Sequence, residues 1–179
     1  RRLATQDDYD VIFGFISSAD VLSISPLAEE LNQPTLIMDT GTTELFDNAV
    51  PDAEYTYRLA ASSSIDAVGA ARLVHNALPD VDTVAGINQD YAYGRNNWDL
   101  FTRCLESLGT DAEVVDARFT PFPHDDFSSA IAALNDANPD FIFSSLRGGG
   151  PVNFMTQANE RDLFDVTLAC FSGGTHVFF

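Results

Sequence analysis

Apolar residues fall along this chain in two alternating rhythms. Short continuous runs, Val11-Ile12-Phe13-Gly14-Phe15 and Thr35-Leu36-Ile37-Met38, have the length and apolar content of buried strands. Tyr55-Thr56-Tyr57-Arg58-Leu59 alternates, as a strand with one wet face does. Between these runs the apolar positions recur at helical spacing. Ser17 or Ser18 reads as an N-cap for a helix through Val21, Leu22, Ile24, Leu27 and Leu31. Ser62 to Ser64 cap a second helix, through Ile65, Val68, Ala71, Leu73 and Val74. The rest of the chain repeats the scheme. Strands are predicted over 82–87, 112–116, 141–143 and 166–171, and helices from Tyr93-Gly94 to Gly109, from Asp126 through Leu134, and over 151–161, with Gly148-Gly149-Gly150 as a turn. Strands alternating with helices predict the α/β class with parallel sheets.

The charge balance narrows the partners. Of 179 residues 27 are acidic and 9 basic, a net charge of −18. Such a field repels phosphate backbones and anionic membrane surfaces, so nucleic acid is a poor partner and no nucleic-acid partner is expected. All nine basic residues are Arg, with no Lys, and Asp outnumbers Glu 20 to 7. That composition resembles the habit of extreme halophiles, in which salt screens the repulsion among short carboxylates. No apolar run approaches the roughly 18 residues that span a bilayer, and the first residues lack the apolar core of a signal peptide. Both ends read as cut from a longer chain. Cys104 and Cys170 read as two core thiols, a disulfide between them being left open, and His75, His124 and His176 are too scattered for a metal site.

Ligands of parallel sheets bind outside the carboxyl ends of the strands. The loops there read Ser17-Ser18-Ala19-Asp20, Asp39-Thr40-Gly41-Thr42-Thr43, Asn88-Gln89-Asp90-Tyr91-Ala92-Tyr93-Gly94, Ser144-Ser145-Leu146-Arg147 and Ser172-Gly173-Gly174. Hydroxyls, backbone donors, aromatic rings and one guanidinium suit a small polar solute. There is no nucleophile elbow, no phosphate loop and no His-Glu-x-x-His, so neither an enzyme nor a cofactor is expected. The pair Asp125-Asp126 beside His124 precedes a helix and reads as capping.

Six stretches taken in order resemble the type I periplasmic binding proteins, specifically the branched-chain amino acid and amide receptors of the leucine/isoleucine/valine-binding kind. They are Val11-Ile12-Phe13-Gly14 with Ser17-Ser18, Gln33-Pro34-Thr35-Leu36-Ile37 leading to Gly41-Thr42-Thr43, Tyr57-Arg58, Asp90-Tyr91-Ala92-Tyr93-Gly94, Asp126-Phe127-Ser128-Ser129-Ala130, and Asn138-Pro139-Asp140-Phe141-Ile142. The resemblance implies a two-lobed fold, each lobe a parallel sheet flanked by helices, with a solute clamped between the lobes. Residues 1–59 match the latter part of the N-terminal lobe, and 60–179 most of the C-terminal lobe. It further implies that Ser17, Ser18 and the Gly41-Thr42-Thr43 loop hold a carboxylate or amide oxygen, that Tyr93 reaches the solute from the other lobe, and that Arg147 faces the site. Each residue has a plainer role open to it: Ser17 and Ser18 as helix caps, Thr42 and Thr43 as turn residues, Tyr93 closing the surface, and Arg147 pairing with an acid.

The amino-acid receptors carry an acid where this chain has Ser172-Gly173-Gly174, and a neutral aromatic where it has Arg147. The resemblance with these departures implies the extracellular, lipid-anchored receptor of an ABC permease for amino acids, amides or small carboxylates. The alternative is a cytoplasmic amide-sensing regulator on the same fold. If the acidic surface is a high-salt adaptation, the thermal midpoint should rise steadily from dilute buffer, where the Debye length is about 30 Å at 0.01 M, to molar KCl. A flat profile would contradict it.

Overall fold

The structure, a computed structural model, describes Arg2, residues 9–165 and residues 168–171. The chain divides into two compact units, Arg1–Ile65 and Asp66–Phe179. The sequence places a crossing near residues 59 and 60. Ser62 and Ser63 lie in the first unit, where the Ser63 N–H and hydroxyl both donate to the Gly41 carbonyl at 2.8 Å.

The first unit holds a parallel sheet in the order β1-β2-β3, with β1 Ile12–Gly14, β2 Thr35–Ile37 and β3 Thr56–Arg58. Helix α1 (Ser18–Glu30) starts at Ser17, whose hydroxyl accepts the Asp20 N–H at 3.5 Å. Val21 from α1, Ile37 from β2, and Leu45 and Val50 beside a short π-helical turn (Leu45–Ala49) make the core. The Glu29 carboxylate accepts the Glu54 N–H at 2.9 Å and the Tyr55 N–H at 3.1 Å, tying α1 to the start of β3. The sequence reads β1 as a buried strand, and this needs correction. Side chains alternate across a sheet. Ile12 and Thr35 line an apolar recess with Ile24, Leu27 and Ala28 of α1. Phe13, Leu36 and Tyr57, paired across the three strands, point the other way. Phe13 is 70% exposed and Tyr57 52%. No described helix covers that face.

The second unit holds a parallel sheet in the order β5-β4-β6-β7, built from β4 Thr83–Gln89, β5 Glu113–Thr120, β6 Phe141–Ser144 and β7 Leu168–Phe171. Residues from α2 (Ser64–Ala77) and α3 (Ala92–Leu108) bury Val84, Phe141 and Phe143 on one face. There Phe101 stacks on Phe143 with centroids 4.6 Å apart. Cys104, a free thiol, packs at the margin of this core. Residues from α4 (Ser128–Ala137) and α5 (Gly150–Asn159) bury Ala85, Ile87 and Ile142 on the other. Helix α3 ends at Gly109 in the left-handed conformation. The Asp126 carboxylate accepts the Ser128 N–H at 3.0 Å, though the N-cap position of α4 is Phe127. Asp125 accepts from Asn153 Nδ2 at 2.9 Å. Both acids therefore hold local structure.

Two contacts set the ends of this sheet. At its start the Asp140 carboxylate accepts the Thr83 hydroxyl at 2.8 Å and the Thr83 and Asp82 N–H groups at 2.9 and 3.1 Å. Those bonds, the Thr83 hydroxyl foremost, hold its carboxyl below the usual carboxylate range. At its finish, α3 descends onto the end of β4 at Gly94. A Cβ there would fall inside contact distance of the Gln89 carbonyl oxygen and lie 2.9 Å from the Gln89 nitrogen.

Gly94→Ala should therefore destabilise the protein by about 1–3 kcal/mol in urea unfolding. Gly69→Ala, in α2 with open space around it, should stabilise it by about 0.4–1 kcal/mol. The same sign for both would contradict the close approach. Asp140→Asn should leave a stability deficit at neutral pH that shrinks as pH falls below about 4, because a lowered carboxyl pKa stabilises the fold above its unfolded value and stops doing so once protonated. A deficit constant from pH 7 to pH 2.5 would remove the charged clamp.

Candidate functional site

The carboxyl ends of the strands gather the predicted residues unit by unit. In the first unit, α1 begins directly after β1, so Ser17 caps it and Ser18 is buried in its first turn. Thr40 ties the neighbouring loop to this corner by donating its hydroxyl to the Phe15 carbonyl at 3.3 Å. The Gly41-Thr42-Thr43 loop is strapped from two sides. Arg58 donates to the Thr42 carbonyl at 2.8 Å and packs over the Phe46 ring at 5.2 Å, while Ser63 holds the Gly41 carbonyl. A Cβ on Gly41 would stand 2.7 Å from Ser63 N, so only glycine permits this strap. Burial pulls the Arg58 guanidinium below its ordinary pKa, opposed by the Asp47 charge. Thr42 is fully buried, and its hydroxyl has no hydrogen-bond partner among the described residues. Thr43 accepts the Phe46 and Asp47 N–H groups at 3.2 and 3.1 Å through its carbonyl, so its backbone serves the turn.

In the second unit Tyr93 and Arg147 come together. The Arg147 guanidinium carbon stands 4.4 Å from the Tyr93 ring centroid, in cation–π range. Tyr93 is only 2% exposed; it lies under the guanidinium rather than at the surface. Its ring stacks with that of Tyr91 at 6.1 Å, and Tyr91 meets Phe122 at 6.3 Å. Burial raises the Tyr91 hydroxyl pKa, with Arg147 pulling it down and Tyr93 adding to the rise. Asp66 at the start of α2 feels Arg147 as well: burial lifts its carboxyl above the ordinary value and the guanidinium opposes the lift. Ser172-Gly173-Gly174 lies outside the described residues.

A buried polar set stands beside this pair. Ser145 donates its hydroxyl to Asn88 Oδ1 at 2.7 Å, Asn97 Nδ2 donates to the Tyr93 carbonyl at 2.9 Å, and Gln89 Nε2 donates to the Arg147 carbonyl at 3.3 Å. Among the described residues, Asn88 Nδ2, Gln89 Oε1 and Asn97 Oδ1 are buried without a hydrogen-bond partner. Sequence reasoning put Asn88 and Gln89 in a loop and gave them no role. Their signal was position: polar residues continuing an apolar strand into its carboxyl end. Among the described residues no group of three His, Cys, Asp or Glu side chains could hold a metal, and no helix is long and apolar enough to cross a membrane.

The family model described as periplasmic binding protein matches residues 1–177. A Leu/Ile/Val-binding protein homologue of Brucella melitensis is 22% identical over 97% of this chain, which spans 43% of that protein. The solute-binding protein of an ABC transporter from Rhodopseudomonas palustris, solved with 3,4-dihydroxybenzoic acid, superposes with a TM-score of 0.81 at 25% identity, over 95% of this chain and 45% of that one. A leucine-binding protein from Thermotoga maritima superposes with a TM-score of 0.74 at 21% identity, over 94% and 46%. The chain thus spans less than half the length of these relatives. The ordered parallel sheets, the loops at their carboxyl ends and a family match over nearly every residue agree: the chain belongs to the periplasmic binding protein family.

Proposed function

We propose that this chain is part of the solute receptor of an ABC-type importer, working outside the cytoplasmic membrane, and that its solute is a small organic carboxylate. In this reading the first unit is the latter part of the N-terminal lobe and the second most of the C-terminal lobe. Ser17, Ser18, Gly41, Thr42 and Thr43 supply one set of donors, and Tyr93 with Arg147 the other. The permease would recognise the closed, loaded form.

One observation carries the carboxylate: the Arg147 guanidinium packed on the Tyr93 ring at the end of the sheet. A guanidinium has its N–H donors in its own plane, where two can meet the two oxygens of a carboxylate. Packing on an aromatic face aligns that plane and excludes water from one side of it. The buried, unpartnered Thr42 hydroxyl is further support, since a buried hydroxyl without a partner is unfavourable until something binds it. Among the relatives, aromatic acids and leucine are both bound, so the carboxylate is the chemistry their solutes share. Branched-chain amino acids and amides remain within this reading as the solutes of the wider family.

Arg147→Ala in the natural full-length protein should weaken a carboxylate solute by about 10- to 150-fold in titration calorimetry. The matching uncharged amide should lose far less, and Tyr93→Phe should weaken both modestly. Unchanged affinity for every ligand after Arg147→Ala would remove the guanidinium from the site.

A further inference from the structure

Beside the Arg147–Tyr93 pair, wholly within the second unit, lies a recess of about 290 Å³, part of it open to solvent. The chain leaving β5, from Thr120 to Asp125 and then Phe127, supplies one wall, and Leu146, Arg147, Gly149 and Gly150 supply another. The first wall has little of its own to hold it. Among the described residues, 121–126 make no backbone–backbone hydrogen bond, and Pro121 and Pro123 have no N–H to give. Such a stretch keeps one shape only where side chains from elsewhere grip it. The grip comes from helix α5. Gln157 Oε1 accepts the Phe127 N–H at 2.8 Å, while its Nε2 donates to the Asp125 carbonyl at 2.6 Å. Both partners are backbone groups, so these bonds fix the course of the chain. Turning the amide over would set donor against donor and acceptor against acceptor. Asn153, one turn earlier on the same helix face, donates Nδ2 to Asp125 Oδ1 at 2.9 Å. Phe154 meets the Phe127 ring edge to face at 5.6 Å. The other wall is tied to the start of the same helix, where the Gly150 N–H donates to the Arg147 carbonyl at 3.2 Å. One helix thus serves both walls.

We infer that Gln157 is a positioning residue for solute binding: it holds the 121–127 wall in its bound shape before the solute arrives. This rests on the reading that the solute's carboxylate meets Arg147, beside that wall. Gln157 does not line the recess, so its effect on the solute passes through the wall it holds. A loop that must be ordered on binding subtracts its lost conformational entropy from the affinity, and a loop already held does not.

The test is Gln157→Leu in the natural full-length protein, with leucine and benzoate as the carboxylate probes. Gln157 is half-buried, so the change opens no cavity in the core. In titration calorimetry, whichever probe the wild type binds should be weakened about 5- to 100-fold, the reach of two hydrogen bonds. Limited digestion with proteinase K, its cuts mapped by mass spectrometry, reads the wall directly. Wild type should resist cutting within 120–127 with or without the probe, whereas Gln157→Leu should be cut there when free and protected when the probe is bound. Asn153→Ala, which removes one bond to a side chain, should show the same pattern with a loss of about two- to fivefold, and it decides the matter if Gln157→Leu does not fold. Val74→Ala truncates a buried core residue of α2 far from these bonds in sequence. It should lower stability yet keep the affinity within about twofold, which separates positioning from a general loss of stability. Unchanged affinity in Gln157→Leu, or a wild type cut within 120–127 until a probe is bound, overturns the inference and leaves the carboxylate reading standing. A wild type that binds neither probe overturns both.

Discussion

Helix α3 begins where it does because residue 94 has no side chain. Its backbone lies against the carbonyl of Gln89, closer than any Cβ could tolerate, and this contact decides what surrounds the end of β4. Tyr93, one residue earlier, is turned under Arg147. Asn97, one helical turn later, reaches back to the Tyr93 carbonyl at 2.9 Å. Gln89 is left to bond the Arg147 backbone. A strand end, a helix start and the β6–α5 loop are thereby locked into one polar corner. The side chains of that corner have rigid supports on ordered elements, which is what recognition of a small solute requires.

The two ends of the second unit's sheet use polar groups in opposite ways. At the amino end, Asp140 is saturated by Thr83 and Asp82 and belongs wholly to the fold. At the carboxyl end, Asn88, Gln89 and Asn97 each keep a buried atom without a partner among the described residues. A folding chain gains nothing from such vacancies, because every unmet buried donor or acceptor opposes folding. They concentrate beside the Arg147–Tyr93 pair that the proposed function assigns to the solute.

Much of this was legible in the residues. The order of strands and helices followed the two hydrophobic periods, and Gly109 and Ser17 marked a helix end and a helix start as their chemistry dictates. Strand ends were less legible. The apolar pattern stops β4 near Ile87, yet the strand runs to Gln89, because amides buried at a strand's end look like loop residues in a periodicity count. Phe13 shows the converse: apolar content reports a preference for burial and not whether a described element covers that face. The Tyr93–Arg147 pairing could not come from periodicity, since it joins distant segments. The family resemblance put both in one site, and only the coordinates stack one on the other.

The most direct test of a carboxylate receptor is native mass spectrometry of the natural full-length protein purified gently from its own cells. If the Arg147 guanidinium anchors the solute, unfolding should release a small acid whose fragmentation shows loss of carbon dioxide. Release of a neutral sugar, a polyamine or a metal chelate, retained in proportion to the protein, would contradict the assignment of Arg147 as the solute's anchor.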